Sequence, residues 1–198
     1  MRGIRTALSA ALAVSLVATL VACTNDPLAD QYRAGDSKGY ISGEFQVDEI
    51  PADERGEPVV FAGTTESGED VSSQDYAGDV LVVNFWYAAC GPCRAEAADL
   101  EKAHAAFKGE DVSFLGVNTL DAPEAAAAFA ETYGVSYPSV MAAEDGAVKL
   151  AFADRTPINA TPTTLVLDAE GRVAARIIGQ LPDDSVLTAL VRDALEES

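Results

Sequence analysis

The stretch VLVVNFWYAACGPCRAE, residues 80–96, decides the fold and most of the chemistry. Val80–Tyr87 is a near-continuous apolar run of strand length, the pattern of a strand buried on both faces. Ala88–Gly91 interrupts it. A helix is predicted from Pro92 to Lys108, closed by Gly109. Cys90 and Cys93 fall at the junction. They could be a working dithiol, two metal ligands or a static staple.

Position argues for the dithiol. Cys90 lies at the predicted helix N-terminus, where free backbone N–H groups and the helix dipole favour thiolate over thiol. The thiolate is the attacking species in disulfide exchange, and Cys-X-X-Cys spacing lowers the first thiol's pKa. Pro92 suits the first turn because its missing N–H has no intrahelical partner to lose. Cys93 follows one turn on, within reach and deeper, as the resolving thiol. A bridge over so short a loop removes little unfolded-state entropy and is a poor staple. A structural zinc site usually takes four ligands. The chain has one histidine, His104, and no second cysteine pair. No metal and no other cofactor is expected.

Outward from this segment, strands and helices alternate. Towards the N-terminus a first strand is expected near Glu44–Val47, a loop over Asp48–Pro58, and a strand at Val59–Ala62. Ser67-Gly68 marks a hairpin leading to a short helix at Ser73–Tyr76. Towards the C-terminus the pattern predicts a buried strand at Val112–Val117 and a helix at Pro123–Tyr133 stopped by Gly134. An extended Tyr137–Met141 and a short helix at Ala147–Phe152 follow. Thr163–Leu167 and Arg172–Ile178 form a hairpin around Asp168–Gly171, and an amphipathic helix spans Asp183–Leu195. This order predicts an α/β fold with a sheet covered on both faces.

The N-terminus reads as a targeting segment. Arg2 and Arg5 precede the uncharged, apolar Ala7–Ala22. That stretch is short and alanine-rich for a membrane span of roughly 20 residues. It ends Leu20-Val21-Ala22-Cys23, and polar Thr24-Asn25-Asp26 follows. This resembles the lipobox of bacterial lipoproteins, which implies cleavage before Cys23 and lipidation of its thiol. The expected organisation is a signal peptide over 1–22, a lipid-anchored flexible tether over 23–50, and one domain over 51–198. Cys23 as anchor leaves Cys90 and Cys93 as a pair, in an extracytoplasmic setting where disulfides persist. The net charge of −19, from 13 Lys and Arg against 32 Asp and Glu, repels phosphate backbones and argues against nucleic-acid binding.

Taken together, VVNFWYAACGPCRAE, GVNTLDAPEAAAAFAETYGVSYPSV and TPTTLVLDAEGRVAARIIG resemble the thioredoxin fold. Within it, the likeness is to membrane-anchored thiol–disulfide oxidoreductases of the TlpA and ResA type, and it runs from about Val59 to Leu195. The resemblance implies a central mixed sheet flanked by helices, with an N-terminal hairpin extension and a central insertion. It implies a redox-active Cys90–Cys93 disulfide around the active-site loop Gly91-Pro92. Pro162 is then a cis-proline facing the disulfide, and Thr161 pairs its backbone with an extended substrate strand. Trp86 joins them as a substrate-binding candidate, although the residue pattern favours packing. Glu96 is the expected proton acceptor for Cys93; a solvated carboxylate beside Arg94 is the alternative. Asn84 stands where cytoplasmic thioredoxins carry a buried aspartate, which shifts proton transfer towards Glu96 or water.

Three departures touch partner docking: Ala89 replaces a common tryptophan, Ala98 a helix-kinking proline, and Tyr87-Ala88 a smaller pair. By resemblance the partners are proteins with cysteine pairs, such as apocytochrome c, and a membrane electron donor. A monomer is expected. The rivals are a disulfide-forming oxidase, a thiol peroxidase for which no second constellation is visible, and a non-catalytic peptide binder.

Overall fold

The computed structural model describes residues 40–41, 45–143, 146–156 and 160–197. The expected signal peptide, Cys23 and most of the expected tether lie outside these residues.

Strand β5 (Val80–Trp86) is buried along its whole length. Side chains alternate across a strand, so one side of β5 serves each face of the sheet. Val80 and Val82 pack with Leu100 and Ala103 of α1 (Gly91–Ala106) and with Leu187, Leu190 and Val191 of α4 (Asp184–Glu196). Leu81, Val83 and Phe85 face the opposite way, against Val59, Phe61, Val148 and Phe152. Both faces are apolar because both are covered.

Among the described residues the main sheet has seven strands. They are β1 (Tyr40–Ile41), β2 (Phe45–Glu49), β5, β6 (Val112–Asn118), β7 (Ser139–Met141), β8 (Thr163–Leu167) and β9 (Val173–Gly179), in the spatial order β1-β2-β9-β8-β5-β6-β7. The β5–β6 and β6–β7 pairs are parallel and the others antiparallel. A separate hairpin joins β3 (Ala62–Thr64) to β4 (Asp70–Ser72), and one 3-10 turn follows at Ser73–Tyr76. Between β6 and β8 come α2 (Pro123–Tyr133), β7 and the short α3 (Ala147–Ala151). This mixed, helix-covered sheet is the thioredoxin fold that the resemblance implies.

Two expectations need correction. The domain does not begin at residue 51: β2 pairs along its full length with β9, so residues 45–49 are part of the central sheet rather than tether. Arg176 of β9 holds Asp48 across that pairing, Nη2 to Oδ2 2.7 Å. The strand expected at Val59–Ala62 starts at Ala62 instead. Val59 and Phe61 are buried for their packing, while the Val59 N–H donates to the Gly171 carbonyl of a turn, not to a strand. Arg55, in the preceding loop, reaches 3.0 Å to the enclosed Asp168 carboxylate and donates to the Ile50 carbonyl.

Gly116 on β6 allows a close approach that the site needs. A Cβ there would stand 2.2 Å from Ser139 Oγ and 2.8 Å from Trp86 Nε1, the two ends of a 3.1 Å hydrogen bond. Gly116→Ala is therefore expected to lower stability by about 1–3 kcal/mol, the usual range for overpacking. Urea unfolding followed by the fluorescence of the single tryptophan measures both the loss and the disturbance at Trp86.

Candidate active site

Cys90 is the N-cap of α1, with extended backbone (φ −70°, ψ 113°), and its Sγ accepts the Cys93 N–H at 3.1 Å. The sulfur thus takes the place of the side-chain oxygen that usually caps a helix. The two sulfurs are bonded to each other. Cys90 and Cys93 are 3% and 2% exposed, while the intervening Gly91 and Pro92 lie open to solvent. Ala97 of α1, Ala126 and Phe129 of α2, and Trp86 close the inner side.

Glu96, one turn beyond Cys93, is 1% exposed. Asn84 donates its Nδ2–H to Oε1 at 3.0 Å, and the Leu181 backbone N–H donates to Oε2 at 2.7 Å. Asn84 also donates to Thr164 Oγ1 at 3.0 Å, tying β5, β8 and α1 together. Burial raises the Glu96 pKa from 4.5 to about 7, against the two hydrogen bonds that favour the charged form. The reading of Glu96 as a solvated partner of Arg94 is overturned. Two residues apart on a helix, the side chains leave on nearly opposite sides, and Arg94 donates to the Ala88 and Ala89 carbonyls instead.

A cavity of about 10 Å³, the scale of one water, lies behind Cys93 and is lined by Asn84, Trp86, Ala97, Tyr137 and Ser139 among others. Tyr137 is buried there, and desolvation, with the Glu96 charge second, pushes its phenol well above the ordinary range.

The Thr161–Pro162 peptide bond is cis. Phe85 pairs with Thr163, so Pro162 and Trp86 stand at the same end of the sheet, where β5 runs into the cysteine loop. Pro162 is buried and Thr161 partly exposed; the Pro162 carbonyl accepts the Gly179 N–H at 3.0 Å. Trp86 is a correction to the expected substrate contact. Its indole is enclosed, lies tilted against Phe129 with ring centroids 4.3 Å apart and donates to Ser139, so it packs the floor of the site. His104 lies far along α1, against Phe114, Tyr137 and Ser136. Sequence reasoning missed Arg94 and Asp121 as partners of the cysteine loop. Their signal was weak: Asp121 only follows the end of a strand parallel to β5, the end at which α/β proteins gather their sites.

The model of the Redoxin family matches residues 45–191. The chain belongs to the Redoxin family. It is 26% identical over 126 residues to the thiol-disulfide oxidoreductase ResA of Geobacillus kaustophilus, covering 64% of this chain and 70% of that one. It is 31% identical over 109 residues to the thiol:disulfide interchange protein HelX of Rhodobacter capsulatus, covering 55% of this chain and 57% of HelX. The crystal structure of a DsbF homologue from Corynebacterium diphtheriae superposes with a TM-score of 0.66 at 28% identity, covering 74% of this chain and 92% of that one. With its Cys90–Cys93 pair, this Redoxin protein is a thiol–disulfide oxidoreductase of that type.

The raised Glu96 pKa has a sign. The folded protein holds this proton more tightly than the unfolded chain, so the contribution is fully present below about 4.5 and is lost as pH rises through about 7. At 1.36 kcal/mol per unit it amounts to roughly 3 kcal/mol at most. The oxidised protein should lose stability between about pH 4.5 and about pH 7, and Glu96→Gln should flatten that slope. Urea midpoints across this range decide it.

Proposed function

We propose that this Redoxin protein reduces disulfides in other proteins outside the cytoplasm, held at the membrane by lipid on Cys23. The observation that carries the reading is the Cys90–Cys93 pair at the α1 N-terminus, with Glu96 buried one turn behind it. The Cys90 thiolate attacks a substrate disulfide, forming a mixed disulfide and releasing one substrate thiolate, which takes up a proton. Cys93 passes its proton to Glu96 and attacks Cys90 Sγ, releasing the second substrate sulfur as a thiolate, which takes up a proton from Glu96 or water. Two electrons pass to the substrate, and the pair ends oxidised. A membrane electron donor then returns it to the dithiol.

Direction follows from which form the surroundings favour. An oxidant is strong when its reduced thiolate is stabilised. Arg94 and the helix N-terminus favour the thiolate and Asp121 opposes it, while the Gly91-Pro92 pair between the cysteines, similar to that of reducing thioredoxins, supports a reducing pair. Cis-Pro162 and Thr161, at the same end of the sheet, are the proposed seat for an extended substrate segment. The likeness to ResA-type proteins supports the cysteine pair of apocytochrome c as a substrate.

Equilibration of a form starting after Cys23 against thiol buffers tests the direction. A potential near or below about −250 mV is expected, and one near −150 mV or above would make the protein an oxidase. Cys93→Ser should trap a mixed disulfide through Cys90 with a peptide carrying a disulfide, and Cys90→Ser should trap none. For the anchor, Cys23→Ser should release the full chain from the membrane fraction and abolish incorporation of labelled fatty acid.

A further inference from the structure

The four residues before the active-site helix form a turn closed by the Cys90 N–H to the Tyr87 carbonyl, 3.1 Å. Two charged side chains from different elements grip that turn. From the loop after β6, Asp121 Oδ2 accepts the Ala88 N–H at 2.6 Å. From α1, Arg94 donates Nε–H to the Ala88 carbonyl at 3.0 Å and Nη2–H to the Ala89 carbonyl at 2.8 Å. Asp121 is itself fixed. The fully buried Asn118 donates Nδ2–H to Asp121 Oδ2 at 2.9 Å and accepts the Asp121 N–H at 2.8 Å through Oδ1.

We infer that Arg94 and Asp121 are opposed positioning residues that hold the Cys90 turn and set, by their charges, how readily Cys90 becomes a thiolate. Charge-assisted bonds to backbone are strong and directional, and each group here ends within two residues of the nucleophile. The Ala89 carbonyl that Arg94 grips belongs to the peptide unit that carries the Cys90 nitrogen. A guanidinium so placed favours the Cys90 thiolate, and the Asp121 carboxylate disfavours it. The other titratable groups around this cluster, among the described residues, are Glu96 on the inner side of α1 and the phenols of Tyr87, Tyr133 and Tyr137. Neither Arg94 nor Asp121 touches the sulfurs. They act through the backbone and through their fields.

The inference rests on the redox reading above, and the test separates the two. Wild-type protein is first reduced, its thiolate absorbance is titrated, and its exchange with a disulfide-bonded peptide is measured. No exchange would sink the redox reading itself. On an active background, Arg94→Gln should lower the Cys90 thiolate fraction about threefold at a fixed pH below its midpoint, and Asp121→Asn should raise it about threefold. Arg94→Lys keeps the charge but not the two-pronged grip, so it should restore most of the thiolate fraction while exchange stays slow. Thermal melts confirm that each variant is folded. Shifts in the same direction for Arg94→Gln and Asp121→Asn, no shift in either, or no rescue by lysine would overturn the proposal.

Discussion

The carboxyl group of Glu96 sits inside the protein, and two partners from distant parts of the chain make this tolerable. Asn84 comes from the middle of the central strand and Leu181 from the approach to the last helix. A buried polar group without partners costs several kcal/mol. Sliding α1 by one turn along the sheet would strip Glu96 of both bonds, so this pair of bonds selects one placement of the helix. Cys93 precedes Glu96 by three residues, and its position over the end of β5 follows from the same registration. The apolar contacts of Leu100 and Ala103 supply the bulk attraction, but such contacts tolerate small shifts better than hydrogen bonds do. In this sense the geometry of the dithiol is set by a residue that the oxidised site does not display.

The same arrangement bears on the chemistry. A thiol has an ordinary pKa near 8.5 and a carboxyl group near 4.3, so an ordinary glutamate would be a poor recipient of a cysteine proton at neutral pH. Desolvation lifts Glu96 to about 7 and narrows that gap. Asn84 contributes by being an amide. It donates to Glu96 and to Thr164 whatever the pH, whereas a carboxylate in its place would set two acids against each other in the core. One titratable group in a permanently bonded frame is a simpler device than a coupled pair.

How much of this could be read beforehand depended on range. β5, α1 and the β8–β9 hairpin were legible because each is announced locally, by a doubly apolar run, a Pro-bearing helix start, or a turn. β2 was half seen: its residues look like an acidic linker, and only the antiparallel partner β9, far along the chain, makes them strand. Val59 and Phe61 misled in the opposite way. They are apolar because Phe152 and the far face of the sheet need covering, not because they pair. At the site, the cysteines and Glu96 follow from a spacing within one helix. The bonds from Ala88 to Asp121 and from Trp86 to Ser139 join residues 33 and 53 positions apart, and spacing along the chain carries no trace of them.

The small residues before Cys90 then acquire a physical sense. Ala89 leaves the turn with little side chain to pack, and it is exposed. A turn without packing must be ordered by its backbone groups. Here the Ala88 N–H, the Ala88 and Ala89 carbonyls and the Cys90 N–H all have partners, two of them charged side chains. The turn is ordered by these hydrogen bonds rather than by side-chain packing. The surface at this end of the sheet is made by the exposed Ala89, Gly91 and Pro92, with the Arg94 and Asp121 charges beside them and little apolar area.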